Sequence, residues 1–480
     1  MIRRVLAVSA ALIAWSVAMP LAAQAPAPAD VAHPLAPTKE RPSGESSSSA
    51  QPGAATPHHP DWAPWTRNST QPPPAVEGGP VAAATPQAGD GETERVFRAG
   101  VAWFDEAVKR VDELVPAAEA AADGAIAGGR FYCTGDTGFV QELFGRAGGL
   151  GFLVEWRGER LRPNDVLLIG RLTPREETAR NVNFLALVAG GGWNMPGTVV
   201  YISSSNFPVV GRTIPLIRKE PWGGRLHVLD TRAPLGDSWA DVSLGQMSAV
   251  AIAHAFVGEM FAAASRKGKT LATLGSDAEP HGPEWDKSVE GMNLNPKFPV
   301  PPIAAGRIAK DYLLTCRRQA AAFLDSGEAK NVRLAGDRLA ATLKAGKDVF
   351  VVCAGHIHVS GSAIPREFPR MTMYGRTWEW RNQVLRPGDI LLYLGYLDFP
   401  RKPAMDARAA GAGVVTLSAS DGRTDDRAVH VRESWERWDS AVNVPDYPVR
   451  LLPTSGVLQT LSWYSLMSET LKSLRAPSAP

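Results

Sequence analysis

Two histidines separated by one residue, His356 and His358 in the run Ala354-Gly355-His356-Ile357-His358, carry the densest acid-base chemistry of the chain. A histidine titrates near neutral pH and can move a proton or hold a metal through a ring nitrogen. An H-x-H pair becomes a metal site only with a third ligand, for which His254 or His281 would have to serve. His254 lies in an apolar helical stretch that marks a core residue, and no metal or other cofactor is expected. Hydroxyl groups form a second set. Ser203-Ser204-Ser205 and Ser418-Ala419-Ser420 each follow an apolar, β-branched run, and short hydroxyl side chains there can hydrogen-bond a polar ligand without filling a pocket. The same residue types are also ordinary turn formers. A third polar turn, Thr134-Gly135-Asp136-Thr137-Gly138, follows Phe131-Tyr132-Cys133, and Ser360 stands just beyond the histidine pair.

All of these residues stand where a short strand gives way to a turn. Strands are expected at residues 130–133, 165–169, 198–202 and 226–229, and again at 349–353, 390–394 and 414–417. Helical stretches lie between and around them, at 173–187, 246–264, 308–324, 332–343 and 456–474. Short apolar strands alternating with helices indicate an α/β fold built on parallel sheets covered on both faces. Ligands of such sheets bind beyond the carboxyl ends of the strands. Upstream, Phe97, Val101, Phe104, Val108, Val111 and Val115 recur at steps of four and three, one face of a helix that Pro116 should kink or end.

The plan occurs twice. L-R-P-N-D-V-L-L at 161–168 returns as L-R-P-G-D-I-L-L at 385–392, C-T-G-D at 133–136 as C-A-G-H at 353–356, and V-V-Y-I-S-S-S at 199–205 as V-V-T-L-S-A-S at 414–420. An apolar helix after Gly245 answers one after Ser455. A period of about 220 residues is far longer than a solenoid repeat and indicates two flavodoxin-like domains in tandem, residues 94–290 and 305–475.

Of the 480 residues, 44% are hydrophobic and 21% charged, and the formal charge is +2, so a large core is available and a nucleic-acid partner is not expected. Arg3 and Arg4, the apolar run 5–18 and the small residues at 23–25 have the layout of a secretory signal peptide over residues 1–25, which points to an exported protein, periplasmic or extracellular, without stable membrane insertion. Residues 26–93 are rich in Pro, Ala, Ser and Gly and read as a disordered linker, with Trp62 and Trp65 its bulky residues. The three cysteines, Cys133, Cys316 and Cys353, are expected to be free thiols, and self-association stays open.

The turn motifs together resemble sugar isomerase (SIS) domain proteins, which carry G-x-G-H-S-H after the first strand, A-E-E-L-F-Y-R-A-G-G-L on the next helix and R-P-G-D-V-L-I at the second strand. Here Q-E-L-F-G-R-A-G-G-L stands at 141–150, A-G-H-I-H at 354–358 and R-P-x-D in both halves. The resemblance covers residues 94–474 and implies a carbohydrate ligand. Aldose-ketose isomerisation would need a carbon base and a ring-opening acid-base group, roles that the resemblance gives to Glu142 and His356. It gives ligand contact to Thr134, Asp136, Thr137, Ser203, Ser204, Ser205, His356, His358, Ser360, Ser418 and Ser420. In the family a Ser/Thr-rich turn after the second strand holds the sugar phosphate. Here those turns read Gly-Arg-Leu-Thr-Pro-Arg at 170–175 and Gly-Tyr-Leu-Asp-Phe-Pro-Arg at 395–401, without the hydroxyl cradle. Arg175 and Arg401 could supply charge in its place. The expectation is therefore a sugar-binding protein without isomerase turnover; a phosphosugar isomerase and a structural interaction module are the alternatives. Residues 274–287 resemble the tail of single-domain relatives, from which His281 and Glu284 could reach a site and Trp285 could stack on a sugar.

Overall fold

The computed structural model describes residues 91–172, 196–207, 226–236, 238–276, 281–353, 364, 367–374, 385–396, 400–420, 428–435 and 439–476. The signal segment, residues 26–90 of the expected linker, the helix expected over 173–187, Arg175, and His356, His358 and Ser360 lie outside them, while Glu92 and Thr93, expected to end the linker, already open a helix.

Helix α1 (Glu92–Val108) buries Val96, Phe97, Gly100, Trp103, Phe104 and Ala107, so the inward face is turned from the expected stripe: Phe97 and Phe104 belong to it, Val101 and Val108 flank it half-buried, and Val111 and Val115 lie beyond the helix end. A 3-10 turn (Val111–Leu114) leads into α2 (Val115–Ile126). Pro116 opens that helix instead of ending one, because in the first turn its missing N–H has no helical partner to lose. Then follow β1 (Phe131–Gly135), α3 (Thr137–Leu143), β2 (Leu153–Glu155), β3 (Val166–Gly170), β4 (Thr198–Ser203), β5 (Leu226–Asp230), α4 (Trp239–Arg266) and α5 (Gly282–Val289). The second half runs α6 (Arg307–Asp325), α7 (Ala329–Lys344), β6 (Val349–Cys353), β7 (Met371–Tyr374), β8 (Ile390–Leu394), α8 (Arg401–Ala409), β9 (Gly413–Ser418), β10 (Val429–Arg432) and α9 (Ser455–Arg475).

The chain is an α/β protein with two five-stranded, wholly parallel sheets, ordered β2-β1-β3-β4-β5 and β7-β6-β8-β9-β10. Counted within each half, both orders are 2-1-3-4-5, the flavodoxin-like order with its switch point between the first and third strands. Helices of both halves share one core. Phe97 of α1 stacks on Phe323 of α6 at 4.0 Å, and α9 packs on α1, α4 and α7. Helix α4 is long and apolar enough to cross a membrane by composition, but its apolar stretch is wholly covered by the protein.

The repeated R-P-x-D motif is a fastener at the amino end of each sheet. The Asp165 carboxylate accepts hydrogen bonds from the backbone N–H groups of Arg130 (2.9 Å) and Arg162 (2.8 Å), and the Asp389 carboxylate accepts them from Asp348 (3.1 Å) and Arg386 (2.8 Å). Each buried Asp thus ties the start of the first strand to the turn before the third. The cysteine motifs are not equivalent in the same sense. Cys133 pairs with Leu168 and Cys353 with Leu394, two residues further along when the R-P-x-D motifs are aligned, so Val351 takes the place of Cys133. The shared letters stand at successive depths of one strand, and backbone pairing sets the equivalence.

Candidate functional site at the strand ends

At the first switch point the chain closes on itself. Gly135 and Gly170 approach so tightly that a Cβ on Gly135 would lie 2.1 Å from the Gly170 carbonyl oxygen, and a Cβ on Gly170 would lie 2.2 Å from the Phe139 ring. Asp136 follows, and its carboxylate takes an ion pair from Arg171 (2.7 Å) and a hydrogen bond from the backbone N–H of Leu172 (2.6 Å). A guanidinium beside a free N–H is how a turn holds an anion. Here the anion is a side chain of the protein, and both Asp136 and Arg171 are buried.

Of the residues expected at this edge, Thr134 lies half-buried on β1, and Thr137 begins α3. Ser203 is buried at the end of β4, and its hydroxyl has no hydrogen-bond partner among the described residues. Ser204 donates to the Ala233 carbonyl (2.7 Å), and the Ser205 N–H donates to Asp230 (2.8 Å), which ties the ends of β4 and β5 together. In the second half Ser418 is buried and shares a hydrogen bond with Ser420 (2.9 Å).

Glu142 lies away from solvent. Its carboxylate pairs with Arg146 Nε at 3.2 Å and stands 3.5 Å from His254 Nε2. Arg146, itself 1% exposed, donates from Nη2 to Asp439 (3.0 Å) and to the Ser455 hydroxyl (2.6 Å). Asp439 also accepts the backbone N–H groups of Thr454 (2.9 Å) and Ser455 (2.5 Å), where α9 begins. Burial alone would lower the Arg146 pKa, but Glu142 and Asp439 raise it and hold the guanidinium charged. His254 is pushed down to about 3, first by burial and then by Arg146, so it is neutral at ordinary pH. Gly456 completes the joint, since a Cβ there would lie 2.0 Å from a Glu142 oxygen. The R-A-G-G-L motif therefore plugs the first half into the loop and helix that close the second. Among the described residues no cluster of His, Cys, Asp and Glu could hold a metal.

The second sheet edge holds a group that the sequence did not single out. Glu433 follows β10, and its N–H donates to the Ser418 carbonyl (2.9 Å). Its Oε2 accepts from Trp435 Nε1 (3.0 Å) and from Gln459 Nε2 (2.9 Å), and the same Gln459 nitrogen donates to the Gly395 carbonyl (2.6 Å). Burial pushes Glu433 up to about 7, against the lowering pull of Trp435, Gln459 and the Ser462 hydroxyl. Tyr396 packs on Trp435 with ring centroids 4.8 Å apart. Trp285, expected as a stacking platform, instead belongs to the core: it packs on Phe298 and Tyr447, and its indole donates to the Thr273 carbonyl (2.8 Å). A polar indole tip with a nearby carbonyl is a stable buried arrangement, and the helix α5 around it leaves no ring face at the strand ends.

No family model and no curated protein sequence matches the chain. Solved structures do. It is similar to a candidate phosphosugar isomerase of Silicibacter pomeroyi, at 14% identity and a TM-score of 0.39 over 79% of this chain and 97% of that one. It is similar also to a candidate sugar-binding protein of Salmonella typhimurium, at 9% identity and a TM-score of 0.41 over 79% and 98% of the two chains. A candidate phosphosugar isomerase of Bacillus subtilis matches at 9% identity and a TM-score of 0.39 over 75% and 95%.

Proposed function

We propose that the chain is an exported SIS-type protein that binds a sugar or carbohydrate derivative and does not isomerise it. The observation that carries this reading is the Asp136 carboxylate lodged between Arg171 and the Leu172 N–H. Isomerisation requires the substrate to be anchored so that its carbon-bound proton lies within hydrogen-bond reach of a base, and an anchored phosphate would need the donors that Asp136 already occupies. The base that the motif offers, Glu142, is enclosed by Arg146, His254 and Gly456. The second edge retains what ligand binding needs: the hydroxyls of Ser418 and Ser420, Glu433, and the aromatic pair Tyr396 and Trp435. Export rests on Arg3, Arg4 and the apolar run that follows them, ahead of the Pro/Ala-rich stretch.

Thermal-shift and calorimetric titration of the protein with free and phosphorylated sugars, followed by a solvent proton-exchange assay on every ligand found, tests the reading. Binding without exchange is expected. Turnover of a phosphosugar that Glu142→Gln or His356→Ala abolishes would make the protein an isomerase. Fractionation of cells expressing a tagged chain tests export, and a full-length cytoplasmic product would refute it.

A further inference from the structure

Where the backbone pairing makes the two sheets equivalent, their edge residues differ in chemistry. The Arg171 N–H donates to the Ile202 carbonyl and the Gly395 N–H to the Leu417 carbonyl, so Gly395 holds the place of Arg171. The Thr231 N–H donates to the Ser203 carbonyl and the Glu433 N–H to the Ser418 carbonyl, so Glu433 holds the place of Thr231. At these two positions the second edge has lost a cation and gained a carboxyl, while at the neighbouring position, where Asp230 pairs with Ser203 and Arg432 with Ser418, an exposed arginine replaces an aspartate. The fold does not demand a carboxyl at this position, because Thr231 serves there in the first half.

Glu433 and Gln459 are each about 2% exposed, and among the described residues neither Glu433 Oε1 nor Gln459 Oε1 has a partner in full hydrogen-bonding geometry, although the Ser462 hydroxyl stands close enough to the Glu433 carboxyl to lower its pKa. Buried polar atoms in native proteins are almost always satisfied, and an unmade hydrogen bond is expensive. These two oxygens stand beside the end of β8, to which Gln459 is bonded through Gly395, the strand that flanks the second switch point. Arg146 is already paired with Glu142 and Asp439, so its charge is not available to an incoming anion. At the start of α8, Arg401 and Lys402 are exposed, and Lys402 is bonded to Asp406.

We infer that Glu433, held in place by Gln459 and Trp435, is the specificity-determining residue of the proposed sugar site, and that it selects uncharged polyhydroxyl ligands over phosphorylated ones. A carboxyl that titrates close to neutrality can both donate to and accept from neighbouring hydroxyls, whereas a phosphate beside Glu433 would be repelled by it and by Asp439. The inference rests on the sugar-binding reading, and one experiment separates the two. The protein is titrated calorimetrically with glucose, fructose, glucosamine and N-acetylglucosamine, each beside its 6-phosphate, in wild type, Glu433→Gln and Glu433→Ala. The expected result is binding of at least one unphosphorylated sugar, with its 6-phosphate weaker by about tenfold or more.

Glu433→Ala should weaken that sugar by about tenfold or more, the loss of one to two hydrogen bonds, while Glu433→Gln, which keeps one donor and one acceptor, should stay within a few-fold of wild type. Should Glu433→Ala fail to fold, the carboxyl carbon signal of Glu433 in labelled wild type, which must shift on adding the sugar, decides instead. A bound sugar indifferent to both variants, with no shift of that signal, overturns the role of Glu433 and leaves the sugar-binding reading standing. A 6-phosphate that binds more tightly than its parent sugar also overturns the inference and points to Arg401. Failure of every sugar to bind overturns both.

Discussion

Replacing Arg146 by methionine would strip from a buried joint the cation that pairs with both Glu142 and Asp439, and leave their carboxylates facing each other's field. Three polar contacts disappear, at 3.2 Å to Glu142, 3.0 Å to Asp439 and 2.6 Å to Ser455, and all four residues are almost fully enclosed, so solvent does not replace them. Breaking a buried pair by removing one partner costs about 3–5 kcal/mol, because the remaining charge stays buried without compensation. Methionine keeps most of the apolar stem, so little of the loss comes from packing, and a destabilisation of roughly 4 kcal/mol is expected. Glu142→Gln keeps the shape and removes one of the two carboxylates, and should cost about 1–2 kcal/mol. In the double variant Arg146→Met/Glu142→Gln, the total should fall short of the sum by at least about 1 kcal/mol, since only Asp439 is then left unpaired and it retains the N–H groups at the start of α9. Equilibrium urea unfolding followed by tryptophan fluorescence measures all three. A loss below about 1 kcal/mol for Arg146→Met, or strict additivity in the double variant, would refute the argument that one guanidinium compensates both carboxylates.

Asp165→Ala and Asp389→Ala should each cost about 2–4 kcal/mol and agree with one another within about 1 kcal/mol, because each removes two backbone N–H bonds to a buried carboxylate in the same arrangement; urea unfolding with clearly unequal values would break that equivalence. Two buried groups should shape the pH dependence of stability with opposite sign. Glu433 at about 7 keeps its proton in the folded state where the unfolded chain, near 4.5, has lost it, so stability falls as pH rises from 4.5 through 7, and Glu433→Gln should remove that fall. His254 at about 3 refuses the proton that the unfolded chain binds below 6.5, so stability falls as pH drops from 6.5 toward 3, and His254→Gln should flatten that limb. Unfolding curves at half-unit steps from pH 4 to 8 check both, and a limb unchanged by its variant would show that another group sets it.

The central strands were legible because a parallel strand covered on both faces must be apolar throughout: β6 and β8 fall at 349–353 and 390–394, where the apolar runs place them. The edge strands β2, β7 and β10 were not, since Leu-Val-Glu, Met-Thr-Met-Tyr and Val-His-Val-Arg are too short or too mixed to announce a strand without the neighbour that pairs with them. Missing β10 also hid Glu433, which counts as a strand-end residue only once Val429–Arg432 is a strand. The available signal was a carboxylate directly after an alternating apolar-polar run, together with Gln459 inside the apolar run Gly456-Val457-Leu458. Ser203 and Ser418, by contrast, were readable from the β-branched runs before them, and the pairing of β4 and β9 makes them equivalent. Arg146 was visible within a motif, but its partner Asp439 lies 293 residues away, a distance that only the tertiary fold bridges.

That last contact changes what the E-L-F-G-R-A-G-G-L stretch says about activity. Its glutamate and arginine are held in the joint with Asp439 and Ser455, and Gly148, at φ +70°, lets the chain pass so close to the second half that a Cβ there would lie 2.2 Å from the Leu452 nitrogen. A side chain at that position would have to push two segments of backbone apart, so the glycine is required by the joint whatever the ligand. The likeness of this stretch to isomerases is therefore accounted for by packing between the halves. The two sheets share a backbone and differ in side chain at Arg171 against Gly395, Asp230 against Arg432 and Thr231 against Glu433. At those positions one sheet supplies its own anion and closes, while the other presents a glycine, an exposed arginine and a buried carboxyl poised near neutrality. On the proposed reading, the second edge binds an uncharged ligand and the first half serves as its support.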